Sequence, residues 1–293
     1  MTDYKQDADG VTITFGDGTS AQASALIACD GIKSLCRKIV LGHESPEAEP
    51  VYAGEYAYRT LLDRSVANKI LTSELAGNGN IYCGRGGYII TYPVDKGKLV
   101  NVVAIKRKDA WEEEEWLAPC PRENMLAEFD DWGVPLQRLV SEISDTKQWA
   151  LFDAPDASTF YSGRVCLVGD AAHASTPNQG AGAGMAFEDA YVLSTLLGRA
   201  AAVESVGDVF EAFDAVRRPR TQRLVATSRS AGEVYEFAHD AVGTDLVKVK
   251  ENLDRRHAWI WEEDLPGEVE GAIEFLRRCK APNVLASTIL YSQ

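Results

Sequence analysis

Apolar and polar residues alternate with two different periods along this chain, and the changes of period divide it into segments. Near the start, Val11, Ile13 and Phe15 are separated by Thr12 and Thr14, the period of two of a half-buried strand. Gly16-Asp17-Gly18 then supplies a hairpin turn. The run Ala25-Leu26-Ile27-Ala28 is apolar throughout and fits a strand buried on both faces. Asp30-Gly31 ends it, and a short helix is predicted from near Ser34. The Pro- and Glu-rich stretch 44–50 reads as a linker. Beyond it, Tyr-, Ile- and Val-rich segments at 54–62, 80–83, 88–93 and 99–106 predict a mostly antiparallel sheet. Asp95-Lys96-Gly97-Lys98 is the turn between the last two.

The helical period takes over afterwards, at 122–132 and 135–144. Arg164-Val165-Cys166-Leu167-Val168 is another apolar strand, which Gly169-Asp170 stops as Asp30-Gly31 stopped the earlier one. A glycine-rich loop leads into a long helix over about 185–199. A second long helix, about 209–231, carries Phe210, Phe213, Val216, Leu224 and Val225 at helical spacing. The tail from Gly232 to Gln293 reads as amphipathic helix.

Composition narrows the function. The 293 residues include 45% apolar and 25% charged residues, an ordinary globular balance. A formal charge of -14 argues against nucleic acid, because no basic run offsets it; Arg217-Arg218-Pro219-Arg220 is the densest cluster. No apolar run approaches the ~20 residues that span a bilayer. Cys29, Cys36, Cys83, Cys120, Cys166 and Cys279 are scattered without a CxxC pair. With no secretory segment at Met1, they are expected to be reduced, in a cytoplasmic protein that engages no membrane. His43, His173, His239 and His257 lack metal-ligand spacing, and no Ser-His-Asp pattern appears. His173 is expected to cap or pack beneath the glycine-rich loop.

The chemistry concentrates in Gly163-Arg-Val-Cys-Leu-Val-Gly-Asp-Ala-Ala-His173 and the following Pro177-Asn-Gln-Gly-Ala-Gly-Ala-Gly-Met-Ala-Phe-Glu-Asp189. A buried strand, a polar stop, a glycine-rich loop and a helix start follow one another. Gly180, Gly182 and Gly184 allow close approach of backbone to a ligand. The unpaired N–H groups of the helix start favour an anionic or electron-rich ligand atom. Asp170, at the carboxyl end of a strand, can accept hydrogen bonds from ligand hydroxyls. A tight turn made only for helix packing would use the same glycines, but would not need the aspartate and proline in this order.

This stretch resembles the second FAD-binding motif of the class A flavoprotein monooxygenases, in their salicylate hydroxylase-like branch. The resemblance implies that Gly169 and Asp170 meet the ribityl chain. Gly180, Gly182, Ala183, Gly184 and Met185 would form the loop around the isoalloxazine, and Pro177 would lie near its reactive face. Ala28-Cys-Asp-Gly-Ile-Lys-Ser-Leu-Cys-Arg37 is similar to the family's middle motif, and implies cofactor contacts for Asp30, Gly31 and Arg37. In the β-rich insert, Tyr56-Ala-Tyr-Arg-Thr60 and Ile89-Ile-Thr-Tyr-Pro93 offer Arg59 and Tyr92 as residues that hold a phenolate or carboxylate. The residues alone equally allow Arg59 to pair with a surface carboxylate and Tyr92 to pack within the sheet.

The implied fold class is α/β: a partial FAD-binding, glutathione reductase-like domain with an inserted antiparallel β-sheet substrate domain and a helical C-terminus. The expected boundaries are 1–44 and 151–235 for the FAD-binding domain, 45–150 for the substrate domain and 236–293 for the helical segment. The implied reaction consumes NAD(P)H and O2 and hydroxylates a small phenol- or salicylate-like substrate through a flavin hydroperoxide. The family's opening GxGxxG unit, which grips the ADP half of FAD, has no counterpart in these residues. The expectation is therefore a chain truncated at its front, binding FAD weakly by itself. A non-catalytic remnant acting as a binding protein, or a flavin enzyme with another oxygenation such as epoxidation, are the other readings.

Overall fold

A computed structural model describes residues 1–199 and 206–280. Its internal packing divides the chain into two units, 1–50 with 153–226 and from 258 on, and 51–152 with 227–257.

The first unit holds two small sheets. β1 (Asp3–Gln6), β2 (Val11–Thr14) and β3 (Ser20–Ala23) form an antiparallel meander, and its second turn is the predicted one at Gly16-Asp17-Gly18, with Gly18 at φ 84°. β4 (Leu26–Ala28) lies parallel to β12 (Val165–Leu167) across 136 intervening residues, with Leu26 opposite Val165 and Ala28 opposite Leu167. β11 (Tyr161–Ser162) pairs with the far side of β12. β12 is therefore central and wholly buried. β4 is at the margin of its sheet, and Ile27 is 42% exposed. The apolar run at 25–28 was expected to be buried on both faces; it is not, because Ile27 opens onto a cavity rather than onto packed side chains.

Around this sheet pack α1 (Leu35–Leu41), α6 (Asp170–His173), α7 (Gly182–Arg199), the first part of α8 (Val206–Tyr235) and α11 (Leu265–Lys280), and the same unit holds α10 (Ala258–Trp261). The core is built from Phe160, Leu167, Leu196, Phe210 and Phe213. Ser34 caps α1 by accepting a hydrogen bond from the Arg37 N–H at 2.9 Å, as a serine at that position should. α7 begins three residues before the predicted start, because the glycines at 182 and 184 hide its first turn from a reading based on propensity.

The second unit is a six-stranded sheet in the order β6-β7-β8-β5-β10-β9. Its strands are β5 (Val51–Asp63), β6 (Asn80–Gly84), β7 (Gly87–Val94), β8 (Leu99–Arg107), β9 (Leu117–Ala118) and β10 (Gln148–Asp153). β5 through β8 pair antiparallel as their composition predicts. The short helices α2 (Arg64–Ile70) and α3 (Ser73–Gly77) escape a sequence reading, each being too short to show a period. With α4 (Arg122–Ala127) and α5 (Val134–Ser141) they accompany a core of Tyr58, Ile89, Val102, Ala104, Met125 and Leu139. On the other face, Ala57, Tyr88 and Ile105 pack against Ala231 and Tyr235 of α8, with Leu253 of α9 (Leu246–Arg256) beside them. Further along that face Arg59, Leu61, Ile81 and Tyr92 stay exposed.

A buried acid joins the end of α8 to this sheet. Glu236 is 2% exposed and receives a hydrogen bond from Arg107 at 3.2 Å. Burial raises its carboxyl above the ordinary 4.5 despite the arginine. A raised folded-state value means that the protonated form is favoured by folding. Stability is therefore fully present below 4.5 and falls as pH rises through the raised value. Glu236→Gln is expected to flatten that dependence, read from urea midpoints across the pH range.

The predicted tail helix is interrupted, and residues 281–293 lie outside the described residues, as does the Cys279 side chain. The other five cysteines are free thiols. Among the described residues no helix is long and apolar enough to cross a membrane, and no cluster of three His, Cys, Asp or Glu side chains could hold a metal.

Candidate functional site

Where β4 and β12 end, the chain turns away on both strands, and a cavity of about 580 Å³ opens in the first unit. Gly31 and Cys29 follow β4 into it, Val168, Gly169 and Asp170 follow β12, and Gly182, Ala183 and Ala186 form the start of α7 beside it. The site lies outside the carboxyl ends of parallel strands, where open α/β sheets bind ligands. Its shape follows from backbone that only glycine takes easily: Gly31 has φ 77° and Gly169 φ 58°.

Five of the sequence-predicted cofactor residues line this cavity: Gly31, Gly169, Asp170, Gly182 and Ala183. The others surround it or stand behind it. Gly180 adopts φ 63° as the left-handed end of the 3-10 turn Pro177–Gln179, and a Cβ there would meet nothing. Pro177 opens the same turn and is exposed. Gly184 sits in the first turn of α7, again with open space where a Cβ would go. Met185 points the other way, fully buried, with its sulfur 3.7 Å from an Arg217 nitrogen. Asp30 is engaged locally: it accepts from the Ser34 hydroxyl at 2.5 Å and from the Cys36 N–H at 3.2 Å, which fixes the turn into α1.

Arg37 is 2% exposed and spends its donors on carbonyls, those of Glu47 at 2.8 Å, Pro155 at 2.7 Å and Ala172 at 2.5 Å. Burial lowers its pKa to about 10, against the pull of Glu47 and Asp156. It ties α1 to the back of the turn that carries Asp170.

A second buried group clamps that turn from the other side. One oxygen of Asp189, on α7, accepts from the Gly169 N–H at 2.9 Å and meets His173 Nε2 at 2.6 Å. Its other oxygen accepts from Arg217 Nε at 2.9 Å. Arg217 also reaches Glu188, Glu268 and the Met185 carbonyl. Burial alone would raise the Asp189 carboxyl; the His173 bond and the Arg217 guanidinium help to outweigh it, and the group lies below the ordinary aspartate range. His173 is thus packed beneath the loop, as its isolation in the sequence suggests. Asp189 and Arg217 were not singled out from sequence. The only signals were an acid seven residues into an apolar helix and an arginine on the apolar side of another.

The glycine at 184 gives a direct test of what shapes the first turn of α7. A helical glycine is less favourable than alanine by about 0.5–1 kcal/mol, and no protein atom opposes a Cβ there. Gly184→Ala is expected to stabilise the chain by about that amount in urea denaturation, since packing does not require the glycine.

The cavity's donors and lining suit a flavin. The unpaired N–H groups at the start of α7 provide partial positive charge, and Asp170 is an acceptor for hydroxyls. The lining holds no Lys or Arg, which suits an uncharged ring and a polyol chain better than a diphosphate.

A family model described as FAD binding domain matches residues 1–228. The chain belongs to the FAD-dependent monooxygenases. It is 39% identical over 260 residues to the 6-methylsalicylate 1-monooxygenase of Aspergillus terreus, a match covering 88% of this chain and 58% of that relative. It is 37% identical over 284 residues to a salicylate hydroxylase of Pseudomonas putida, covering 92% of this chain and 65% of the relative. The chain therefore spans about three-fifths of the length of these curated relatives. Among solved structures, a salicylate hydroxylase substrate complex superposes with a TM-score of 0.85 at 37% identity, over 92% of this chain and 69% of that one. Klebsiella pneumoniae HpxO complexed with FAD and uric acid is similar at a TM-score of 0.69 and 27% identity, covering 93% and 65%.

On the sheet of the second unit, Arg59 and Tyr92 project from the same face. Arg59 lies opposite Val103, Val103 lies opposite Ile90, and Tyr92 is two residues beyond Ile90. Both are exposed. Tyr92 does not pack into the sheet interior, and Arg59 stacks on Trp149.

Proposed function

We propose that this monooxygenase binds the isoalloxazine and ribityl part of FAD in the cavity beside Asp170, and hydroxylates a small phenol- or salicylate-like aromatic compound at the expense of NAD(P)H and O2. The observation that carries the reading is the convergence of two strand ends and the glycine-rich start of α7 on one cavity. The salicylate-directed names of the relatives support the substrate class.

In this reading Asp170 accepts hydrogen bonds from ribityl hydroxyls. Gly182, Ala183 and Gly184 let the backbone lie against the ring, and the helix start stabilises negative charge on it. Gly31 gives the second strand end the same close approach. Pro177 and Gly180 shape the loop, while Arg37, Asp30 and Met185 act behind it by fixing α1 and α7. Arg59 and Tyr92 orient the aromatic substrate. The flavin supplies the electron transfer and oxygen chemistry, so no protein nucleophile is required. The β4/β12 unit is the FAD-binding domain and the large sheet is the substrate domain.

The test is NADH and NADPH oxidation with O2 uptake by the purified, FAD-supplemented chain, with and without salicylate. Substrate-stimulated oxidation yielding a hydroxylated product supports the proposal. A chain that quenches no flavin fluorescence on titration with FAD would sink it.

A further inference from the structure

The cavity between the strand ends and α7 carries one sign of charge. Of the residues that line it, Asp170 is the only one with a charged side chain, and it is exposed. Asp30 sits between the lining residues Cys29 and Gly31. Behind the start of α7, Arg217 and Arg220 meet four carboxylates, Glu188, Asp189, Glu263 and Glu268, so that cluster adds no positive charge. Arg37 is the opposing cation, and it is buried with its donors on carbonyls. Lys33 does not line the cavity and already has a partner. The Cys29 thiol, on the cavity wall, lies in the resulting field: partial burial pushes it up first, and the Asp30 and Asp189 carboxylates push it further.

Most of the remaining wall is apolar, with Ile27, Val168, Ala186, Ala190, Leu193 and Leu197 offering no side-chain donor. A phosphate that leaves water needs charge-assisted donors in exchange. The N–H groups at the start of α7 act on whatever lies against them, which the reading above assigns to the flavin ring. The phosphate of FMN ends the same polyol chain whose hydroxyls Asp170 accepts, so it enters on the side of the carboxylates. Like charges brought together in a partly closed cavity repel far more than they do in open water.

We infer that the cavity selects the uncharged flavin, riboflavin, over its phosphate ester FMN, and that Asp170 is the residue that excludes the phosphate. One carboxylate then accepts the ribityl hydroxyls and repels the group that follows them. Any grip on the phosphates of FAD lies outside the residues that line this cavity. This rests on the flavin reading above and deepens it, by separating the part of the cofactor that the cavity holds from the part it does not.

The experiment titrates the full chain with riboflavin, FMN and FAD by calorimetry, in dilute buffer and in concentrated sodium chloride. In dilute buffer riboflavin should bind about tenfold or more tighter than FMN, the scale of one phosphate dianion beside one carboxylate, and FAD no tighter than riboflavin. Salt should narrow the gap, because screening shortens from ~30 Å at 0.01 M to ~3 Å at 1 M. Asp170→Asn should weaken riboflavin binding, since a neutral amide is the poorer acceptor, yet reduce the riboflavin-to-FMN ratio by about fivefold or more.

Cys29, an exposed free thiol, supplies a readout that needs no flavin. Its alkylation by anionic iodoacetate, relative to neutral iodoacetamide, should be slowed about threefold or more against the same ratio in a short peptide, and less so in Asp170→Asn. Mass spectrometry of the Cys29 peptide measures both. FMN binding as tightly as riboflavin or tighter, as a phosphate seated on the start of α7 would give, overturns the inference. So does a riboflavin-to-FMN ratio that Asp170→Asn leaves unchanged, or a Cys29 that treats the two reagents as the peptide does. Binding of none of the three flavins sinks the flavin reading as well, whereas binding of all three without preference sinks the inference alone.

Discussion

Replacing Asp189 by alanine is expected to lower the unfolding free energy by about 3 kcal/mol or more, because two buried donors lose their acceptor at about 1–3 kcal/mol each. The carboxylate is fully buried and receives three donors, Gly169 N–H, His173 Nε2 and Arg217 Nε. Without it, the Gly169 N–H and the His173 ring face a closed interior with no acceptor. Arg217 keeps Glu188 and Glu268, so its charge is not stranded. The loss therefore centres on the turn at Gly169 and Asp170. Urea denaturation measures the total, and hydrogen exchange at residues 169–173 should accelerate most. A loss below about 1 kcal/mol would mean that water replaces the carboxylate, against the burial seen here. The sign with pH follows from the same group. Its folded-state value is depressed, so its contribution is present above the ordinary 3.8 and is lost as pH falls through the lower folded value.

Arg37→Leu is expected to cost about 3 kcal/mol or more, because several buried carbonyls lose a charged donor at once. The Glu47, Pro155 and Ala172 carbonyls come from three separate segments, and one planar group reaches all of them. Arg37→Lys should recover less than half of the loss, since an ammonium is a single point and cannot serve three directions. Unfolding midpoints of the two variants decide this. Equal stability of the lysine and arginine forms would show that charge alone suffices.

Much of the fold was legible in the residues. The strands β2, β5, β7, β8 and β12 announce themselves by alternation or by an apolar run, and α8 by helical spacing. The elements that stayed hidden are short or depend on distant partners. α2 and α3 last seven and five residues, too few for a period. β10 carries Trp149 and completes the large sheet, yet Gln148–Asp153 shows no clean alternation, its burial being set by both faces of that sheet.

The candidate site shows the same division. Glycines that need left-handed backbone are visible because few other residues can replace them, and Gly31, Gly169 and Gly180 behave that way. What a side chain touches is not visible. Arg37 belongs to a motif that implied cofactor contact, but its donors serve carbonyls of its own chain. Asp189, Arg217 and Trp149 act through residues far away in sequence, 20, 28 and 90 positions respectively in the contacts described.

The exposed margin of β4 bears on how this molecule behaves in concentrated solution. An open strand edge can take up a further strand, and among the described residues β4 has no partner on that side. Two chains approaching each other each carry a formal charge of -14, and their repulsion reaches about 10 Å at 0.1 M salt but only about 3 Å at 1 M. Dilute buffer should keep the chains apart, and added sodium chloride should bring them together, a colloidal response opposite in sense to that of a protein glued by ion pairs.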